Sequence, residues 1–228
     1  MKIYGATDIG LVRQTNQDCY YIDSKQNWAV VADGMGGHSG GETASTMSVE
    51  IIKENMEKTG NPITAIEEAN RIVFQKSVDE PELSGMGTTI VLCKLEGNKA
   101  QIAHVGDSRA YVVRDKSMEQ ITTDHSIVQQ LIDSGTITKE QSKNHPQRNL
   151  ITRAVGTEKG VAVDVNTVCV NKNDLILLCS DGLCSYVEEN EIFDIIKNNT
   201  TEKAVEKLLK SANNAGGKDN VTAVLIKG

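Results

Sequence analysis

Proline is scarce in this chain, with three in 228 residues, and no stretch rich in proline, glycine and serine divides it into halves. That continuity predicts one domain covering residues 1–228. No apolar run approaches the length of a membrane span. The N-terminal segment MKIYGATDIG has one lysine but no apolar core, so it does not read as a signal peptide. Five cysteines are scattered without a CxxC pair, which excludes a disulfide framework and suits reduced thiols in the cytoplasm. Positive charge is in deficit: the formal net charge is -7, which argues against a nucleic-acid surface and suits cation binding if the acids cluster. The four histidines show no HExxH spacing, no G-K-[ST] follows the glycine-rich segment, and no cysteine stands in a Cys-x5-Arg loop. What is present is a 39% hydrophobic composition, enough for a core without staples.

Short strand-like runs open the chain, at Lys2 to Asp8, Cys19 to Asp23 and Trp28 to Ala32. The last is continuously apolar, as in a strand buried on both faces. Gly34 to Gly41 reads as a glycine-rich loop, and Glu42 to Lys58 as a helix. Pro62 opens a second helix, with Ile63, Ile66, Ala69, Ile72 and Val73 on one face. Strands return at Thr88 to Leu95, Lys99 to Val105, Ala110 to Val113 and near Ile121. Glu96-Gly97-Asn98 carries a hairpin signal. A helix over Ser126 to Asp133 and a polar loop over Asn144 to Arg153 follow. Strands are expected at Val161 to Val170, Leu175 to Cys179 and Val221 to Ile226. Helices at Glu188 to Lys197 and Thr201 to Ala212 precede the last of them. Clustered strands with paired helices indicate an α+β fold of antiparallel sheets flanked by helices, rather than a doubly wound parallel sheet.

Apolar runs repeatedly end in aspartate. AVVAD ends at Asp33, QIAHVGD at Asp107 and LILLCSD at Asp181, while Asp219 immediately precedes the last strand. One such aspartate is an ordinary turn residue. Several together on one rim would repel, by roughly 4 kcal/mol per pair at ~4 Å and an effective dielectric near 20. A divalent cation turns that repulsion into binding. Carboxylates and carbonyls are hard donors and favour Mg²⁺ or Mn²⁺, whereas zinc prefers His and Cys. Arg13, in TDIGLVRQTNQD, is the natural clamp for a phosphate dianion.

The stretches TDIGLVRQTNQD, VADGMGGHSGGE, MGTTIV, AHVGDSRAY, LCSDGL and GGKDNVTAVLI occur in this order over almost the whole chain, together with TDHSIVQQLIDSGTIT and NLITRAVG. In them the chain resembles the metal-dependent protein phosphatases of type 2C, in their compact bacterial form. The resemblance implies a four-layer α/β/β/α sandwich, two central antiparallel sheets with helix pairs outside. It implies that Asp33 bridges two Mg²⁺ or Mn²⁺ ions, that Gly34 offers its backbone carbonyl, and that Asp181 and Asp219 ligate the second ion. Asp107 then serves a third, weaker site shared with Asp181, and Asp18 is a supporting acid acting through water. Arg13 is implied as the phosphate-binding residue, and Asn144 to Arg153 as part of a flap. The implied reaction is hydrolysis of phosphoserine and phosphothreonine in proteins by a hydroxide bridging the two metals. The implied setting is a cytoplasmic monomer acting on a Ser/Thr kinase and its substrates.

Two positions depart from the family pattern. Many relatives carry a histidine, a proton donor to the leaving alcohol, where this chain has Met35, and His38 nearby has nothing to place it there. Animal relatives have Glu where this chain has Gln17. A competing motif, Gly37-His38-Ser39-Gly40-Gly41, matches the G-x-S-x-G elbow of serine hydrolases, with Asp133 and His145 as later partners. The elbow needs its serine at the end of a strand, and the apolar run here ends several residues earlier. A phosphoprotein-binding module that has lost its chemistry is the other alternative; it should lack the metal aspartates, which are present.

Overall fold

The computed structural model describes residues 2–227, with the side chains of His38 and Ser39 outside the description. Alternation along the central strand sets the layers. In β3 (Trp28–Met35) the side chains of Trp28, Val30 and Ala32 join one apolar cluster, while Ala29 and Val31 join another. Successive strand residues point to opposite faces, so a strand buried on both faces must lie between two layers. The first cluster is completed by Val49, Ile52 and Met56 of α1 (Gly37–Thr59) and by Ala65, Ile66 and Ala69 of α2 (Pro62–Asp79).

Two antiparallel sheets lie face to face. One has the order β2–β3–β5–β6–β9 with β4 paired to β3, built from β2 (Asp18–Asp23), β4 (Gly87–Thr88), β5 (Ile90–Glu96), β6 (Lys99–Val105) and β9 (Asp164–Cys169). The other has the order β1–β11–β10–β7–β8, from β1 (Lys2–Asp8), β7 (Arg109–Val113), β8 (Met118–Gln120), β10 (Leu175–Cys179) and β11 (Val221–Lys227). Between them Ala29, Val31, Val91, Cys93 and Ile102 meet Ala110, Val112, Ile176, Leu178, Val224 and Ile226. The outer face of the second sheet is covered by α6 (Glu189–Lys197) and α7 (Thr201–Asn214), through Ile192, Ile196, Val205 and Leu208. This is the expected four-layer sandwich.

Local chemistry explains the boundaries. Gly60 ends α1 in the left-handed conformation at φ 63, Asn61 caps α2 by accepting the amide of Ile63, and Pro62 occupies the first helical turn. Glu96 pairs with Lys99 across a turn containing Gly97 at φ 61, the expected hairpin. Ser126 caps α3 (Ile127–Asp133).

Three expectations are corrected. The segment Gly34 to Gly41 is not a loop: β3 runs on to Met35, Gly36 turns at φ 125, and α1 starts at Gly37. The glycines answer a demand for close approach, since a Cβ on Gly34 would sit 2.1 Å from the Gly41 carbonyl oxygen and one on Gly41 2.8 Å from Gly34. The strand expected from Val161 begins only at Asp164. Two short helices were not foreseen, α4 (Lys139–Ser142) and α5 (Asp181–Cys184). Among the described residues no helix is long and apolar enough to cross a membrane.

Candidate active site

At one end of the sandwich the interlayer face turns polar. The parity that buries Ala29 and Val31 carries on to Asp33, and Asp18 lies opposite Asp33 in the register of β2 and β3. On the facing sheet, Leu178 is followed at the same parity by Ser180, and Val224 is preceded by Thr222. Both hydroxyls donate to Asp18 Oδ2, each at 2.7 Å, tying the two sheets together. Asp18 Oδ1 is buried without a hydrogen-bond partner. The Asp33 amide donates to Thr89 Oγ1 (3.1 Å), which in turn lies 2.7 Å from Ser108 Oγ.

The remaining acids come from chain turns at the same rim. Asp107 lies between β6 and β7, Asp181 is the first residue of α5, and Asp219 stands two residues before β11. Gly182, beside Asp181, has no room for a side chain, because a Cβ there would lie 1.9 Å from the Asn220 carbonyl oxygen. Asp33 and Asp181 lie close enough to influence each other's proton affinity. The carboxyl of Asp33 is held well above its ordinary range, first by burial and then by Asp18, Asp181, Asp107 and Asp219. Burial lifts Asp18 to about 7 against the two hydroxyl hydrogen bonds, Asp107 to about 8 with help from Asp181, and Asp181 to about 6 with help from Asp219. Arg13 reaches in from the loop after β1 and donates from Nη2 to Asp219 Oδ2 at 2.8 Å. That hydrogen bond raises its guanidinium pKa further, with Asp181 and Asp33 adding to the effect.

The donor set fits hard divalent cations: carboxylate oxygens, one of them an orphan, crowded enough that protons are retained in their place. Among the described residues no three of these acids bring ligand atoms within 4.8 Å of one another. Three carboxylates on one octahedral ion lie within about 4.4 Å of one another, so Asp33, Asp181 and Asp219 would share an ion only after side-chain rotation or with one of them acting through water.

Residues 12–225 match the family model for protein phosphatase 2C. The chain belongs to this family. A serine/threonine phosphatase, stp, of Listeria innocua is 39% identical to it over 97% of this chain and 93% of that protein. The crystal structure of the serine/threonine phosphatase Stp1 from Staphylococcus aureus superposes with a TM-score of 0.92 at 37% identity, covering 100% of this chain and 95% of that one. The catalytic domain of the phosphatase PstP, solved in complex with 2 manganese ions, superposes with a TM-score of 0.88 at 33% identity, covering 98% of this chain and 96% of that one. The phosphatase 2C family is metal-dependent, in keeping with the donor set here.

Within this phosphatase 2C chain, the sequence reading missed residues that position the acids. Asn220, buried beside Asp219, accepts the Gln17 amide (2.8 Å) and donates to the carbonyls of Ile9 (2.9 Å) and Thr15 (3.0 Å). One side chain thus fixes both ends of the loop that carries Arg13; its adjacency to Asp219 was the only available signal. His125 exchanges two hydrogen bonds with Gly106, each 3.0 Å, and so holds the turn bearing Asp107. Gln17, where animal relatives have Glu, donates to the Gly37 carbonyl (2.7 Å) and accepts the Gly34 amide through its own carbonyl (3.1 Å). It ties β3 to the start of α1.

A different group, His104, His125 and Asp164, does bring ligand atoms within 4.8 Å. Its two rings stack at 4.7 Å with planes 14° apart. Nearly parallel imidazoles cannot both hold one ion in their ring planes. Arg153 Nη1 already lies 2.5 Å from Asp164 Oδ1 and 3.0 Å from His125 Nε2. This is an ion-pair network rather than a metal site.

The serine-hydrolase elbow finds no support. Its segment forms the first turn of α1, the Ser39 side chain lies outside the described residues, and Asp133 accepts from Gln129 while His145 accepts the Gln147 amide. The His38 side chain lies outside the described residues as well. Met35 is 37% exposed at the end of β3.

The raised carboxyl pKa values give a pH prediction for the cation-free protein. Asp18, Asp33, Asp107 and Asp181 keep protons in the folded chain at pH values where the unfolded chain has lost them. Folded protein then binds more protons than unfolded, so stability falls as pH rises from about 4 through about 8. Mn²⁺ should stabilise more at pH 8 than at pH 5, where it competes with those protons. At a hundredfold excess over its Kd the gain is about 2.7 kcal/mol, or roughly 5–10 °C in Tm. Thermal melts with and without Mn²⁺ check this; greater stabilisation at pH 5 would contradict it.

Proposed function

We propose that this phosphatase hydrolyses phosphoserine and phosphothreonine on proteins through a two-cation centre. Asp33, Gly34, Asp181 and Asp219 hold two Mn²⁺ or Mg²⁺ ions, and Asp107 with Asp181 serves a third, weaker site. The whole of 1–228 acts as one catalytic domain. The observation that carries the reading is the Arg13 guanidinium, hydrogen-bonded to Asp219 and facing Asp181 and Asp33, so that a phosphate-binding cation touches the acidic rim itself.

When bound, the cations supply Lewis-acid charge to the phosphoryl group and lower the pKa of water. The chain does the rest. Arg13 turns from Asp219 to two non-bridging phosphoryl oxygens, a bidentate contact that keeps its charge at every working pH. Asp18, clamped on Oδ2 by Ser180 and Thr222, presents its free Oδ1 to a water proton and orients that water. Met35 offers no proton at the leaving group, so the departing alkoxide takes its proton from water. Asn220 keeps Arg13 and Asp219 in register.

The coarser reading of partners is a phosphoprotein substrate. The finer one is a Ser/Thr kinase and its targets, met in the cytoplasm by a monomeric enzyme; free cysteines at Cys19, Cys93, Cys169, Cys179 and Cys184 support a reducing compartment.

Phosphate release from a phosphothreonine peptide should require Mn²⁺ or Mg²⁺ and disappear on chelation. Turnover indifferent to chelator, or hydrolysis of a neutral carboxylic ester instead, would refute the reading.

A further inference from the structure

Of the seven described large apolar side chains that are exposed, Ile9, Leu11, Val12 and Met35 lie in the two segments that carry Arg13 and Asp33; the others are Val78, Leu150 and Val165. Leu11 at 71% and Val12 at 64% are the most exposed of all such residues described. A scattered apolar side chain on a surface needs no explanation, but an adjacent pair beside a reaction centre does.

The pair is held out rigidly. Gly10 turns at φ 81, its amide donating to Asp8 Oδ1 (2.8 Å), and the Leu11 amide donates to the Gly217 carbonyl (2.7 Å). Asn220 fixes the carbonyls of Ile9 and Thr15 on either side. Leu11 lies over the bare backbone of Gly217, where an added Cβ would come within 2.6 Å of its Cγ. The turn therefore presents Leu11 and Val12 to solvent by construction, immediately before the guanidinium that receives phosphate.

We propose that Leu11 and Val12 form an apolar shelf for a large apolar side chain next to the phosphorylated residue of the substrate protein, and so determine specificity. The proposal rests on the phosphatase reading, which places the phosphate at Arg13. An extended substrate advances about 3.3 Å per residue. A side chain one or two positions from the phosphoresidue would then be in reach of residues 11 and 12, which adjoin Arg13 in the chain. An acidic side chain there would face the acids of the rim, whereas an apolar one loses water against Leu11 and Val12.

The test compares three substrates with wild type and the double variant Leu11→Ser/Val12→Ser: a phosphothreonine peptide flanked by leucine, the same peptide flanked by glycine, and p-nitrophenyl phosphate. Wild type should prefer the leucine-flanked peptide. The variant should lose about tenfold in kcat/KM on that peptide, through KM, and stay within about twofold on the other two. Equal losses on all three substrates, or a wild type that does not distinguish the peptides, would overturn the shelf. No phosphate release from any substrate by wild type would instead remove the phosphatase reading beneath it.

Discussion

Asp33→Asn should lower turnover of p-nitrophenyl phosphate by about a thousandfold or more at saturating Mn²⁺, while the cation-free protein melts no lower than wild type. The two halves of that result have one cause. Asp33 lies at the polar end of the interlayer face, where burial and the carboxyls of Asp18, Asp181, Asp107 and Asp219 all disfavour its charge. Asparagine keeps the shape and removes the repulsion, so folding does not suffer. On the proposed two-cation reading, what is lost is a carboxylate that would hold the ions, and removing one preorganised electrostatic partner of a transition state alone costs about 10²–10³ in kcat. Stability gained where activity is lost is the usual mark of a functional site built against its own folding energy. Activity within tenfold of wild type would remove Asp33 from the centre.

Arg13→Ala should raise KM for phosphopeptides by about ten- to a hundredfold, the range set by about 1.5–3 kcal/mol for hydrogen bonds to a charged group. The same variant should bind Mn²⁺ as tightly as wild type or more tightly. Arg13 donates to Asp219 at 2.8 Å, so the guanidinium and a cation compete for that carboxylate. Arg13→Lys should recover only part of the loss, since an ammonium cannot make the bidentate contact. Steady-state kinetics and calorimetric titration with Mn²⁺ separate the two effects. Weakened Mn²⁺ binding with unchanged KM would reverse the assignment and make Arg13 a structural partner of the acids.

Regular elements were legible where a single local rule governed them. β1, β6 and β10 have the bounds expected from their apolar runs, and α2 begins at Pro62 behind its cap. The glycine segment was misread because one residue type answers two demands. Between Gly34 and Gly41 the missing side chains permit contact between β3 and the first turn of α1, not a loop. α5 escaped notice because its 4 residues are too few for a helical period to show.

For the site, the sequence by itself determined which side chains are hard acids, that Arg13 is a permanent cation, and that Met35 cannot donate a proton. The tertiary structure alone decided how those groups are paired and charged. Asp18 meets Ser180 and Thr222 only because two sheets stack in one register, and Arg13 meets Asp219 across 206 positions of chain. A carboxyl's proton affinity depends on burial and on charges that surround it in space, and neither quantity is written in the order of neighbouring residues.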